Sequence, residues 1–239
     1  MHLETLGSGP RLVLVHGSVA PGWMTWNAQR PLADQFTLVV VVRSGYPPNP
    51  PLERIDFEVQ AEELLDVVEP GDHLIAHSYG AVVTLLAAPR LPLTSLVVVE
   101  PPAFGIAADN PAVREFVDAV KHAPREPRSY LEYFLSLVGS AFRPPDPLPP
   151  ELYAAAQATV AERWPSEAQI PLDEIAATTY PKLVVSGAHH PAFDAVCDVL
   201  EERLRAERAV IPGAGHSVPR TGAPFNERLE AFLRSAEDG

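Results

Sequence analysis

The stretch His73–Ala88, HLIAHSYGAVVTLLAA, decides the fold. Its first four residues, His73–Ala76, form a short, mostly apolar run, and Ala81–Ala88 is an apolar segment of helical length interrupted only by Thr84. Between them lies Ala76-His77-Ser78-Tyr79-Gly80. A chain that turns directly from a strand into a helix passes close to itself, so the residues flanking the turn must be small. Ala76 and Gly80 meet that need. The central side chain, Ser78, is then pushed outward at the amino end of a helix, whose dipole favours developing negative charge. The plainer reading of the same five residues is a capping serine, since serine is a favoured N-cap.

Outward from this turn, further short runs are almost wholly apolar: Leu12–Val15, Phe36–Val42, Leu96–Val99 and Leu183–Val185. Continuous apolar runs are expected of strands buried on both faces. Thr5–Leu6 reads as part of an edge strand, and Arg208–Ile211 as the last one. Helical patterns fill the gaps, over Glu58–Val68, over the stripe Phe193, Val196, Cys197, Leu200 and Leu204 that follows Pro191, and over Pro224–Leu233. Strands alternating with helices predict an α/β fold built on a doubly wound, mostly parallel sheet. The alternation lapses between about Pro101 and Thr179, where three amphipathic patterns are separated by proline-rich breaks. The expectation is a core of residues 1–100 and 180–239, with a helical cap of residues 101–179 inserted after the strand that ends near Glu100.

Composition sets outer limits. The chain has 239 residues, suited to one full-sized domain, with 46% hydrophobic and 21% charged residues. Its 18 Lys and Arg against 31 Asp and Glu leave a net charge of −13. That balance argues against nucleic acid as a partner, because a phosphate backbone needs a basic face. Cys197 is the single cysteine, which excludes an internal disulfide and a thiolate-rich metal site. The run Leu38–Val42 is far short of the roughly 20 residues that span a bilayer, and the start MHLETLGSGP has no basic, apolar leader pattern. The expectation is a cytoplasmic protein acting on a small molecule, away from membranes, with its oligomeric state open.

Two more segments carry chemistry. Val15-His16-Gly17-Ser18 follows a predicted strand, and a turn there presents the backbone N–H of Ser18 beside that of Tyr79. Two such donors aimed at one oxygen stabilise a tetrahedral intermediate, each worth about 3 kcal/mol. Gly213-Ala214-Gly215-His216-Ser217 follows the last strand and precedes the last helix, which places His216 at the edge where a general base is needed.

Together these segments resemble the α/β-hydrolase family over nearly the whole chain, in the order oxyanion loop, nucleophile elbow, cap, histidine loop. The resemblance implies serine acyl transfer, with Ser78 as nucleophile and His216 as base. A serine at 78 points away from the branches that use a carboxylate nucleophile. The sequence departs from the family at the acid. The usual loop reads Ser186-Gly187-Ala188-His189-His190-Pro191, with His190 where Asp is expected, and a neutral imidazole does not stabilise an imidazolium as a carboxylate does. Glu100, at the end of the strand Leu96–Val99, is the preferred replacement, and Asp194 is the alternative acid. A plainer role for Glu100 is capping the next helix or pairing with Arg43, and for Asp194 a solvated first-turn acid.

The expected activity is hydrolysis of an ester, thioester or lactone of a small apolar substrate, with no cofactor. Lyase, cyclase or acyltransferase chemistry, or a catalytically inactive binding protein, stay open as alternatives. Trp23, Met24 and Trp26 are candidates for the wall of an acyl pocket. Arg43 is expected to fix a loop by ion pairing. His189 and His190 have no third metal ligand at a sensible spacing, so no metal is expected. Cys197, on an apolar helix face, reads as inert core.

Overall fold

The apolar runs become seven strands: β1 (His2–Leu6), β2 (Arg11–Val15), β3 (Thr37–Val42), β4 (His73–His77), β5 (Ser95–Val99), β6 (Lys182–Ser186) and β7 (Glu207–Val210). They belong to a computed structural model that describes residues 1–140 and 142–237. The strands form one sheet in the order β1-β3-β2-β4-β5-β6-β7. Only β1 runs antiparallel, against β3; every other pairing is parallel. Thr5–Leu6 falls in β1 as expected, and the strand's start at His2 leaves no trace in the sequence because its residues are mostly exposed and give no apolar signal.

The helices are α1 (Trp23–Trp26), α2 (Phe57–Leu65), α3 (Tyr79–Ala87), α4 (Pro111–Lys121), α5 (Pro127–Leu137), α6 (Pro150–Ala161), α7 (Leu172–Ala176), α8 (Pro191–Leu204) and α9 (Ala223–Glu237). Proline opens α4, α5, α6 and α8. At a first helical position the missing N–H costs nothing and the fixed φ is already helical, so the prolines that break the sequence pattern also start its helices. The short α1 and α7 lack enough turns to show a periodicity.

Both faces of the sheet are covered, which is why its strands do not alternate in polarity. One face sets Val13, Val39, Leu74, Leu96 and Val184 against α2, α3 and α8. The other sets Leu12, Leu38, Ile75, Val97 and Leu183 against Phe225, Leu229 and Phe232 of α9. Each fully buried Val or Leu contributes about 1.5–3 kcal/mol relative to exposure. Cys197 is among the buried residues, and burial pushes its thiol pKa up, in keeping with inert core.

Among the described residues the regular elements between β5 and β6 are all helical, joined by irregular segments and by one isolated parallel bridge between Glu162 and Ile55. It is not uniform. Val113 and Phe116 of α4 and Ile175 of α7 join the main core. Leu131 and Leu135 of α5 form a separate small cluster with Leu152 and Ala156 of α6 and with Val19, just beyond the end of β2.

From β2 the chain passes to β3 on one side and then to β4 on the other. Loops leaving the carboxyl ends of β2 and β4 therefore diverge and leave a crevice, the usual ligand position in open α/β sheets. Val15 of β2 pairs with Ala76 of β4, and His77 pairs with Val99. The register thus sets Gly17, Ser78 and Glu100 at one level just past three adjacent strand ends.

Candidate active site

Ser78 stands between β4 and α3 at φ 52°, ψ −127°. A left-handed φ is costly for a residue with a Cβ and persists only where the surroundings impose it. Ser78 occupies the N-cap position of α3, yet its side chain makes no capping hydrogen bond. The hydroxyl is bonded elsewhere: Oγ lies 2.9 Å from Nε2 of His216. That removes the plainer reading of Ser78 as a cap. The close passage expected of the turn is present. A Cβ at Gly80 would meet the His16 carbonyl oxygen at 2.3 Å, and one at Gly17 would meet Cβ of Ser78 at 2.6 Å.

His216 is buried and is held by its neighbours on both sides of the ring. Nδ1 is 3.3 Å from Oε2 of Glu100. The Nδ1–H tautomer satisfies both contacts, donating to Glu100 and accepting the Ser78 hydroxyl proton at Nε2. The main chain of His216 is also anchored, because Nε2–H of His77 donates to its carbonyl at 2.8 Å. Burial, followed by repulsion from His216, pushes the His77 pKa down to about 3, so His77 remains a neutral donor.

Glu100 is fully buried and, like Ser78, sits at φ 52°. Its Oε1 accepts from the Gly187 N–H at 2.5 Å. Burial raises its pKa, but the imidazoles of His189 and His216 outweigh that and hold it at about 2. Glu100 therefore neither caps the next helix nor pairs with Arg43, the two plainer roles considered for it. Arg43 pairs instead with Glu162 at 2.6 Å. Asp194 accepts from the Ser186 hydroxyl at 3.0 Å and faces Arg208 at 3.5 Å. The geometry brings Glu100 to His216 and leaves Asp194 on another network.

The backbone N–H groups of Ser18 and Tyr79 have no acceptor among the described residues. Tyr79 is the first residue of α3, where an N–H has no partner within the helix. The phenol of Tyr79 is buried and its pKa raised by that burial, so it stays protonated.

Sequence reasoning missed three participants. His77 was merely the variable position of the pentapeptide. Glu162 gave no signal, since a lone Glu after a helix is ordinary. His189 lies with Nδ1 3.2 Å from Oε2 of Glu100, but neither of its ring nitrogens has a hydrogen-bond partner among the described residues. His190, at the position expected for the acid, instead caps α8 by accepting the Ala192 N–H at 3.1 Å. The missing third metal ligand is supplied across the fold: Glu100, His189 and His216 bring ligand atoms within 4.8 Å of one another. A cation there would compete with His216 for Glu100.

Two cavities adjoin His216, and the smaller also reaches Ser78. The smaller, about 60 Å³, is lined by Ser78, Tyr79, Phe104, Phe116 and Phe193. The larger, about 310 Å³, is walled by Val19, Met24, Leu135, Val138 and Leu152. Ser18, Phe134 and His216 line both. Of the three aromatic-loop candidates, Met24 reaches a cavity, Trp26 is core, and Trp23 lies under the Arg30 guanidinium at 4.1 Å. A wider depression of about 580 Å³ near Gly45 and Ala161 contains no nucleophile.

Comparison with known proteins agrees with this architecture. A 97-residue stretch is 31% identical to the pimeloyl-[acyl-carrier protein] methyl ester esterase of Methylococcus capsulatus, covering 38% of this chain and 36% of that enzyme. The match thus spans about a third of the relative's length. An alpha/beta hydrolase from Sphaerobacter thermophilus superposes with a TM-score of 0.68 at 25% identity, covering 97% of this chain and 95% of that one. A thermophilic esterase from Thermogutta terrifontis superposes at 0.65 with 21% identity, over 98% and 93%. The alpha/beta hydrolase family profile matches residues 12–231, and the chain belongs to that family.

Proposed function

We propose that the protein is a serine esterase that cleaves an ester, thioester or lactone of a small apolar substrate. The observation that carries this is the continuous chain Ser78 Oγ, His216, Glu100, at 2.9 Å and 3.3 Å, opening on apolar cavities. Ser78 attacks the carbonyl carbon while His216 Nε2 takes its proton. The imidazolium so formed is stabilised by the Glu100 carboxylate, which stays ionised far below neutrality. The N–H groups of Ser18 and Tyr79 receive the oxyanion. His216 returns the proton to the leaving group, and water then attacks the acyl-enzyme with His216 again as base.

Apolar linings favour an apolar acyl or alcohol group, and the helices of the insert act as a cap that excludes water around it. The esterase names among similar proteins support ester cleavage as the reaction class. The test is intact mass after treatment with a fluorophosphonate, beside a Ser78→Ala control, followed by hydrolysis of p-nitrophenyl acyl esters. One adduct that vanishes in the control, with ester turnover, is the expected result. No adduct on folded protein overturns the reading.

A further inference from the structure

Arg43 is fully buried just after β3, and its guanidinium is spent on the loop that follows β2. Nε donates to the His16 carbonyl at 3.0 Å and Nη2 to the Gly17 carbonyl at 2.9 Å. Nη1 donates to Gln60 Oε1 at 2.8 Å. His16 adds to the same clamp: its Nδ1–H donates to the Gly17 carbonyl at 2.6 Å, and its Nε2 accepts the Arg43 backbone N–H at 3.0 Å. A trans peptide is planar, with its C=O and N–H antiparallel. Holding the Gly17 oxygen against Arg43 therefore turns the N–H of Ser18, in the same peptide plane, away from Arg43.

The counterion for Arg43 comes from the insert. Glu162, at the end of α6, accepts from Arg43 Nη2 at 2.6 Å and from the Tyr46 hydroxyl at 2.8 Å with one oxygen. Its other oxygen accepts from the Ser18 hydroxyl at 2.5 Å. One turn earlier, Thr159 Oγ1 accepts the Val19 N–H at 3.0 Å. Residues three apart share a helix face, so α6 grips Ser18 and Val19 from one side while Arg43 grips Gly17 from the other. The carboxylate is fixed at its base, since Ile55 N–H donates to Ala161 and Arg163 N–H donates to Ile55.

We infer that Arg43 and Glu162 are positioning residues for the oxyanion site, and that the insert, through Glu162, completes this site rather than only covering it. The inference rests on the reading of Ser78 as nucleophile. Removing one member of a buried ion pair leaves the other uncompensated and destabilises the fold, so two variants are needed. Glu162→Gln keeps the shape and removes the charge. Ser18→Ala keeps the backbone N–H and removes only the tether to Glu162.

The experiment measures kcat, KM and inhibition by an alkylboronate, which mimics the tetrahedral intermediate, on p-nitrophenyl butyrate, with Ser78→Ala in parallel. Outright loss of an oxyanion donor costs about 10²- to 10³-fold in kcat. Displacing the donor in Glu162→Gln is expected to lower kcat about 10- to 100-fold, with KM within about twofold and boronate affinity falling with kcat/KM. Ser18→Ala is expected to lower kcat about threefold to tenfold by the same route. A purely structural role would lower the melting temperature and leave kcat per folded molecule unchanged. Folded variants that keep full kcat and boronate affinity, beside an inactive Ser78→Ala, overturn the inference alone. If Glu162→Gln does not fold, Ser18→Ala decides. Activity surviving in Ser78→Ala overturns the nucleophile and the inference together.

Discussion

Glu100 Oε2 lies 3.3 Å from His216 Nδ1 across a separation of 116 positions in the chain. Glu100 leaves β5, not the strand after the insert, yet the parallel pairing of β5 with β4 and β6 sets it beside Ser78 and the Gly187 turn, and the His216 loop packs over that turn through Gly215. If this carboxylate orients the base, Glu100→Gln lowers kcat by about 10²- to 10⁴-fold by holding the wrong tautomer. Asp194→Asn, which disturbs only Ser186 and Arg208, changes kcat less than about twofold. Steady-state kinetics on one ester compares the two, and similar small effects from both would remove Glu100 from the mechanism.

The elbow is tightest at Gly80, where an added Cβ falls 2.3 Å from the His16 carbonyl oxygen. That oxygen belongs to backbone already held by Arg43, so it does not yield freely. Gly80→Ala is expected to cost about 1–3 kcal/mol of stability and to lower kcat by displacing the oxyanion loop. Thermal unfolding and kinetics on the folded protein check the two effects separately.

Acid destabilises this fold through its buried histidines first. His77 has a folded pKa of about 3 against an ordinary 6.5, so the unfolded chain takes up a proton that the folded chain refuses. Stability is therefore lost as pH falls from about 6.5 toward 3. His16, pushed down by burial and by Arg43, acts in the same direction. Glu100, held at about 2 against 4.5, adds stability present above pH 4.5 and lost below it. Urea midpoints measured from pH 8 to pH 4 are expected to fall below pH 6.5, with a shallower fall in His77→Gln. Midpoints that stay level from pH 7 to pH 5 would contradict the assignment.

Phe134 of α5 lines both cavities and approaches the His216 ring, with centroids 6.5 Å apart. Phe134→Ala is expected to join the two spaces, since this side chain lines both. The ratio of kcat/KM for a bulky acyl ester to that for acetate is expected to rise about tenfold. A series of p-nitrophenyl esters of increasing acyl size reads this out, and an unchanged ratio would place the substrate elsewhere.

Ser78 and Glu162 show why some of the site was legible in the sequence and some was not. Ser78 announces itself because a strand-to-helix turn leaves a local trace: an apolar run, small residues at Ala76 and Gly80, and an apolar helix. Its neighbours in the crevice follow from strand order, so Gly17 and His216 were placed by the rule that such loops share one sheet edge. Glu162 obeys no local rule. It is an ordinary acid after an alanine-rich helix, and its meaning depends on Arg43, 119 positions away. His189 is similar: a histidine in a loop acquires a role only once Glu100 is beside it.

By itself the sequence determined the parallel sheet, the helical insert and the presence of a serine at a sharp turn, because each rests on periodicity or sterics within a few residues. Tertiary structure alone decided which carboxylate meets His216, which acid neutralises Arg43, and which imidazoles crowd Glu100. Those pairings are contacts between side chains far apart in the chain. Buried charges must find partners wherever the fold brings them, and no local pattern encodes which partner that is.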